Sequence, residues 1–229
     1  MKNYRTPSLV INLKNYAEIY SNYSLDISKI SESVANETSV EIIVCPPNPV
    51  LSKIIDNVNI PIYSQHVDDS KIGSSTGSIV PELLKSINCP GSLINHSEKR
   101  IPLDEIERLI IRFKEIELTS LVCAQSIDEV EKIAKLNPDI IAIEPPELIG
   151  SGRAVSKVNP KIISDSVDVV NQINNNIDVL CGAGIMTAED VSIALELGSK
   201  GILIASGIIQ SNDWKNKIIE LSAPMKNYL

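Results

Sequence analysis

The sequence predicts an α/β fold, a closed (β/α)8 barrel forming a single domain over residues 1–229. Two observations predict it: eight short apolar segments rich in β-branched residues recur along the chain, and amphipathic segments at helical spacing separate them. A length of 229 residues is typical of one such barrel. An open doubly wound sheet is the competing fold, but the residues after the first strand, 13–16, contain no glycine for a dinucleotide-binding turn.

The predicted strands are nearly continuous in apolarity, as expected for parallel strands that are covered on both faces. They lie at residues 8–13, 40–45, 60–64, 91–95, 119–124, 139–144, 177–181 and 201–205.

Two of the intervening helices are the most distinct. Residues 103–117 place four apolar side chains on one stripe, Leu103, Ile106, Ile110 and Phe113. In the second helix, Thr187 precedes Asp190 by three residues, which predicts a start of the capping-box type, and Gly198 predicts its C-terminal end.

Composition excludes several classes of partner. With 43% hydrophobic and 22% charged residues, the chain resembles an ordinary globular protein. Its net charge of -8 opposes binding to phosphate backbones and anionic membranes, so neither nucleic acid nor membrane is expected as a partner. The first sixteen residues lack a secretory signal, and the four cysteines form no C-x-x-C pair, so we expect reduced thiols and a cytoplasmic location. Three cysteines, at 45, 123 and 181, end apolar segments, where a buried free thiol behaves as a small apolar side chain.

Polar residues collect where the predicted strands end, which is the catalytic face of a closed barrel. Asn12 and Lys14 follow the first strand, His96 follows the fourth, and Glu144 ends the sixth. Glycine-containing turns follow the seventh and eighth strands. Taken singly, each of these polar side chains is an ordinary residue at a strand end that meets solvent. Together, an amine, an imidazole, a carboxylate and two glycine-rich turns indicate a site for a small anion.

Five segments resemble triosephosphate isomerases, specifically the shorter archaeal type: INLKNY (11–16), NHSEKR (95–100), AIEPPELIGSG (142–152), CGAGI (181–185) and LIASG (203–207). They occur in the family's order along the whole chain, and NHSE and EPPELIG are the specific strings. The resemblance implies interconversion of dihydroxyacetone phosphate and D-glyceraldehyde 3-phosphate through an enediolate, in glycolysis and gluconeogenesis, without cofactor or metal.

The resemblance also implies roles for individual residues. Glu144 is the base that moves a proton between adjacent carbons, and His96 is a neutral electrophile that hydrogen-bonds the substrate oxygens. Lys14 stabilises the growing negative charge and helps to hold the phosphate. Asn12 contacts the substrate beside Lys14, and Glu98 orients Lys14 through an ion pair.

The surroundings of the imidazole carry a further expectation. Residues 97–100 are expected to form the first turn of a short helix, whose dipole keeps the ring of His96 uncharged.

Small residues in the last two turns are expected to bind the phosphate, because backbone amides approach it only where side chains are small. These residues are Gly184, Ala205 and Ser206. Ile149 and Gly150 would add amides from the sixth loop. Gly182 is interpreted as a residue that only permits a sharp turn.

The segment after the base is expected to be a lid of the kind known in this family. Pro145-Pro146 restrict the backbone directly after Glu144, so motion is confined to residues 147–152, which close over the phosphate and exclude water. At the far end, Arg153-Ala154 replace a more usual apolar-Pro pair, which lowers the expected stiffness there.

Residues 65–85 resemble the family's third loop, whose tip enters a neighbouring subunit. A homodimer or homotetramer is therefore implied, with Thr76 near the partner's active site. Ser75 stands where the family more often has a larger side chain, which reduces the area buried.

Two other functions agree with parts of the sequence pattern. Another phosphate-binding barrel, an epimerase or lyase acting on a sugar phosphate, would keep the glycine turns but would not need Lys14, His96 and Glu144 together. A barrel retained for binding or regulation alone would be expected to have lost one of the three. His66, Asp68 and Asp69 lie close in sequence, but the chain has only two histidines and no metal-ligand pattern, so a solvated loop is favoured over a metal site.

Overall fold

Seven parallel strands form one sheet in the computed structural model, which describes residues 4–145 and 158–229. The strands pair in the order β2-β1-β7-β6-β5-β4-β3. Their bounds are β1 (Ser8–Asn12), β2 (Glu41–Cys45), β3 (Gly91–Ile94), β4 (Thr119–Ala124), β5 (Ile140–Ile143), β6 (Asp178–Gly182) and β7 (Gly201–Ile204).

Residues 61–64 complete the ring between the two edge strands, β2 and β3. The Val44 N–H donates to the carbonyl of Pro61 at 3.1 Å, and the Ser64 N–H donates to the carbonyl of Gly91 at 3.0 Å. Only isolated bridges form here, so the predicted third strand holds its place in the ring without a regular ladder. Pro61 has no N–H to donate, which limits pairing. The predicted barrel is confirmed.

The helices follow the strands along the chain and cover the outside of the ring. They are α1 (Tyr23–Thr38), α2 (Leu51–Ile55), α3 (Pro81–Ser86), α4 (Leu103–Glu115), α5 (Ile127–Ala134), α6 (Pro160–Ile173), α7 (Ala188–Glu196), α8 (Ser206–Ile209) and α9 (Trp214–Ser222). Among the described residues, no helix is both long enough and apolar enough to cross a bilayer.

The predicted start and end of α7 are confirmed. The Thr187 side chain accepts a hydrogen bond from the Asp190 N–H, and the Asp190 carboxylate accepts one from the Thr187 N–H at 2.8 Å. The helix ends at Glu196, and Gly198 follows with a φ of 96°, a left-handed conformation that glycine adopts without a steric cost.

The stripe predicted on α4 is right in three positions and wrong in one. Ile106, Ile110 and Phe113 are buried, but Leu103 is 43% exposed. Leu103 begins the helix, and its neighbours at 102 and 104 are exposed as well, so this end extends beyond the packed layer. Leu109 is fully buried and completes the apolar face instead.

Alternation along the strands divides the core into an inside and an outside. Residues at alternate positions fill the barrel interior, among them Val10, Ile43, Leu93, Leu121, Ala142 and Leu180. The residues between them pack outward against the helices, among them Leu9, Ile42, Val122, Ile141 and Val179. Because side chains alternate with a period of two, this register places Asn12, Glu144 and Gly182 on the inner face at the C-terminal mouth.

Cys45, Cys123 and Cys181 are buried and free, as predicted, and so is Cys89, for which the sequence made no prediction of burial. Burial raises the pKa of the Cys45 and Cys181 thiols, so they remain protonated and behave as small apolar side chains.

Candidate active site

One pocket at the C-terminal mouth of the barrel collects most of the predicted site residues. Its lining includes Asn12, Lys14, His96, Glu144, Gly184, Ala205 and Ser206. An adjoining polar cavity of about 240 Å³ shares Asn12, Lys14 and His96 and adds Glu98. Ile149, Gly150, the predicted lid at 147–152 and Arg153-Ala154 lie outside the described residues.

Glu144 enters this pocket as a buried carboxylate. Its backbone N–H donates to the carbonyl of Ala124 at 2.7 Å, which continues the pairing of β5 with β4 by one residue. Its Oε1 lies 3.6 Å from Nε2 of His96, and within the described part of the chain its buried Oε2 accepts no hydrogen bond. A carboxylate oxygen without a hydrogen bond, in a side chain that is only 6% exposed, destabilises the folded state. A residue that served only in a surface salt bridge would not need to be buried in this way.

Two residues for which the sequence predicted no role beside the base pack against Glu144. A Cβ placed on Gly182 would lie 2.6 Å from Cγ of Glu144, so this glycine makes room for the carboxylate. The interpretation of Gly182 as a turn residue was therefore wrong. Burial and the neighbouring Glu144 carboxylate raise the pKa of the Cys123 thiol well above its usual range, so Cys123 stays neutral beside the carboxylate. No pattern within 119–124 indicated this contact, because the whole segment is buried and the register of the barrel decides which side chains point inward.

We expect Gly182→Ala to lower kcat by about 10- to 100-fold because the added methyl group displaces the Glu144 side chain. KM should change by less than about threefold, since the residues that line the rest of the pocket are unaltered. Steady-state kinetics together with a thermal melt checks this. Wild-type kcat in a folded Gly182→Ala protein would show that the carboxylate tolerates a methyl group here.

His96 is held as a neutral ring. The backbone N–H of Glu98 donates to its Nδ1 at 3.2 Å, so Nδ1 is an acceptor and carries no proton. The ring proton is therefore on Nε2, the nitrogen that faces Glu144. His96 is only 6% exposed, so it is positioned by the protein and not by solvent.

The helix predicted at 97–100 does not form. The segment is a turn in which the Lys99 N–H donates to the carbonyl of His96 at 2.8 Å. The turn cannot propagate because Ile101 precedes Pro102, a position that disfavours helical backbone, and its N–H donates to Asn95 Oδ1. A single N–H, and not a helix dipole, thus keeps Nδ1 unprotonated.

Lys14 is fixed at both its backbone and its ammonium group. Its φ is 47°, a left-handed conformation. Asn12 Oδ1 accepts from its N–H at 3.0 Å, and Gln65 Nε2 donates to its carbonyl at 3.1 Å. Gln65 directly follows the third predicted strand, but the sequence did not indicate this role.

The Lys14 ammonium lies 2.8 Å from Oε1 of Glu98, the predicted ion pair. Because the Glu98 side chain is 59% exposed, the pair contributes only about 0.2–1 kcal/mol. Lys14 can therefore exchange this contact for an anionic ligand at low cost.

Three donors converge on the centre of the pocket. The oxygen of Asn12 is used by the Lys14 N–H, so its Nδ2 faces inward and lies 3.5 Å from Nε2 of His96. Two donors cannot satisfy each other, whereas an oxygen atom between them would satisfy both. The arrangement suits an oxygen that carries, or develops, negative charge near Lys14.

The two glycine-containing turns meet on the far side of the pocket. Ala183 and Gly184 both have left-handed φ values, 76° and 72°. A Cβ on Gly207 would lie 2.7 Å from the carbonyl of Ile185, so Gly207 allows the turn at Ser206 to pack against the turn at Gly184. This contact was not predicted, although both turns contain glycine.

Comparison with known proteins agrees with this architecture. Residues 7–222 match the family described as triosephosphate isomerase. The triosephosphate isomerase of Methanocaldococcus jannaschii is 46% identical over 213 residues, covering 93% of this chain and 97% of the relative. That of Methanobacterium bryantii is 45% identical (94% and 96% covered), and that of Methanosarcina barkeri is 43% identical (94% and 97% covered). The resemblance in the five sequence segments extends over nearly the whole barrel, and the chain belongs to the triosephosphate isomerase family.

Proposed function

We propose that this chain interconverts dihydroxyacetone phosphate and D-glyceraldehyde 3-phosphate by proton transfer through an enediolate. The observation that carries the proposal is the convergence of the Glu144 carboxylate, the protonated Nε2 of neutral His96 and the Lys14 ammonium on one pocket. Proton transfer next to a carbonyl needs a base, a hydrogen-bond donor for the oxygen and a compensating positive charge.

The geometry supports the following sequence of steps. Glu144 removes a proton from the carbon beside the substrate carbonyl, and the C–H electron pair forms the carbon–carbon double bond of the enediolate. The negative charge moves to the former carbonyl oxygen, where His96 Nε2–H and Lys14 stabilise it. His96 relays a proton between the two oxygens, and Glu144 returns its proton to the adjacent carbon. The reaction balances without an external oxidant or reductant.

Phosphate binding is assigned to the turns at Gly184 and at Ala205-Ser206. Helix α8 is one turn long, so its contribution is the free amides of its first residues rather than an extended dipole. The lid at 147–152, with the amides of Ile149 and Gly150, is proposed from the sequence to cover the same phosphate.

A coupled assay tests the proposal. With glyceraldehyde 3-phosphate as substrate, the purified chain should form dihydroxyacetone phosphate without added cofactor or metal, and inorganic phosphate should inhibit competitively. Turnover of a pentose phosphate in its place would favour an epimerase. Phosphate binding without turnover would favour a binding protein.

For assembly, we propose a homodimer or homotetramer built through the tip of the third loop. The base of the loop is firmly held, since Asp68 Oδ2 accepts from the Ile79 N–H at 2.8 Å and Arg112 Nη1 donates to the carbonyl of Ser70 at 2.8 Å. The tip is exposed, with Ile72 at 70% exposure. A loop with a fixed base and an exposed apolar side chain, four residues before Thr76 in the sequence, is suited to entering a partner.

Light scattering after size exclusion checks the assembly. The wild type should have at least twice the mass of one chain, and Ile72→Asp should shift it toward the monomer. A matched exposed change, Asp128→Asn on α5, should leave the mass unaltered. A monomeric wild type at micromolar concentration would contradict the proposal.

A cytoplasmic location is also proposed, because four buried free thiols suit a reducing compartment. Cell fractionation with an antibody to the chain would test it.

A further inference from the structure

Glu129 lies outside the pocket yet makes several contacts around it. It is in the first turn of α5, with a side chain that is 20% exposed. Its Oε2 accepts from the backbone N–H of Gln125 at 2.8 Å, and its Oε1 accepts from Asn95 Nδ2 at 3.2 Å and from Arg100 Nη2. We call this set of four residues the Glu129 bridge.

On one side, the bridge holds the residue before His96. Asn95 is 1% exposed and has a φ of 61°, a conformation that a non-glycine residue keeps only when its surroundings impose it. Besides its bond to Glu129, Asn95 Nδ2 donates to the carbonyl of Cys123 at 3.0 Å, and its Oδ1 accepts from the Ile101 N–H at 3.1 Å. The direction in which His96 leaves the strand therefore depends on these contacts.

On the other side, the bridge contacts the segment that holds the backbone of Glu144. Gln125 directly follows Ala124, whose carbonyl accepts the Glu144 N–H at 2.7 Å. One oxygen of the Glu129 carboxylate thus contacts Asn95, the residue before His96. The other oxygen contacts Gln125, the residue after Ala124, whose carbonyl holds the backbone of Glu144.

The carboxylate is ionised in this setting. Burial raises the pKa of Glu129, but hydrogen bonds from Arg100 and the Gln125 N–H outweigh it and bring the pKa below its usual range. At neutral pH the bridge is therefore a charged group with its donors in place.

We infer that Glu129 is a positioning residue that sets the placement of His96 relative to Glu144 in the isomerisation proposed above, on which this inference rests. The separation that it controls is the 3.6 Å between His96 Nε2 and Glu144 Oε1. A shift of that distance by a fraction of an ångström changes the alignment of acid and base and hence the rate.

A purely structural role would act differently. Glu129 begins α5 next to the Ser126 cap, whose side chain accepts from the Glu129 N–H. A residue that only stabilises this helix start would lower the melting temperature and leave the kinetics of the folded protein unchanged.

The variant that separates these roles is Glu129→Gln, which keeps the shape and removes the charge and one acceptor. We expect kcat to fall by about tenfold and KM to stay within about twofold, measured well below the melting temperature. The matched control is Glu131→Gln on the same helix, where the side chain is 50% exposed and pairs with Lys135. It should have wild-type kinetics.

Nitrogen NMR of the imidazole rings provides a second measurement. The chain has two histidines, so His66→Gln assigns both ring signals. Wild-type His96 should show a protonated Nε2 and a bare Nδ1, and Glu129→Gln should move this signal toward a mixture of tautomers. If Glu129→Gln does not fold, Arg100→Lys, which alters the bridge at a residue that is 31% exposed, is expected to give the same two changes.

Wild-type kcat and an unmoved His96 signal in the folded variant, with only a lower melting temperature, would overturn the inference. Its failure is distinct from failure of the proposed function. An inactive wild type whose His96 signal still responds to Glu129→Gln would contradict the isomerase and leave the positioning of His96 in place.

Discussion

Glu144→Asp is expected to lower kcat on glyceraldehyde 3-phosphate by roughly 100-fold or more. The substitution keeps a carboxylate but withdraws it by about one carbon–carbon bond, and a misplacement of roughly 1 Å costs about 100-fold in rate. That factor corresponds to about 2.7 kcal/mol of lost transition-state stabilisation. KM should change little, because the donors that bind the substrate oxygens, on Asn12, Lys14 and His96, are untouched.

The coupled assay measures this effect, with Glu131→Asp on the surface of α5 as the matched control. A thermal melt separates lost chemistry from lost folding. The substitution removes one buried methylene group, so a modest fall in the melting temperature is expected beside the loss of rate. An unchanged rate would remove Glu144 from the mechanism.

Lys14→Met has the second large expected effect. Removing a charge that stabilises a developing oxyanion in a partly closed site costs about 10²–10³-fold in kcat. KM should rise as well, since the ammonium also attracts the phosphate. Glu98→Gln should have a much smaller effect on kcat, because the Glu98 side chain is 59% exposed and its ion pair with Lys14 is weak.

Steady-state kinetics on both variants checks the Lys14 prediction, with Lys132→Met as the control on an exposed helical ion pair. A kcat within about twofold of wild type in a folded Lys14→Met protein would show that the negative charge is stabilised elsewhere. In that case the donors on His96 and Asn12 would have to account for catalysis.

Local sequence was sufficient for the strand positions, because a strand is a short apolar run and its end is marked by the first polar residue. Local sequence was insufficient where contacts with other segments decide whether a strand pairs regularly or a side chain is buried. Residues 60–64 have the composition of a strand, yet Pro61 leaves them with isolated bridges. Leu103 has helical spacing, yet it lies at the exposed end of α4. The extent of the single domain, 1–229, stays a prediction.

Three residues that line the pocket could likewise be named in advance, because Lys14, His96 and Glu144 each lie at or just after the end of a predicted strand. The contacts that these residues make could not be predicted. Lys14 and Glu98 are 84 residues apart in the chain, and their ion pair exists only because closing the ring brings the ends of β1 and β3 to one mouth. The space that Gly182 leaves for Glu144, and the Glu129 bridge behind His96, depend on the inward or outward direction of single side chains. That direction follows from strand register across the whole barrel, a property that no short segment contains.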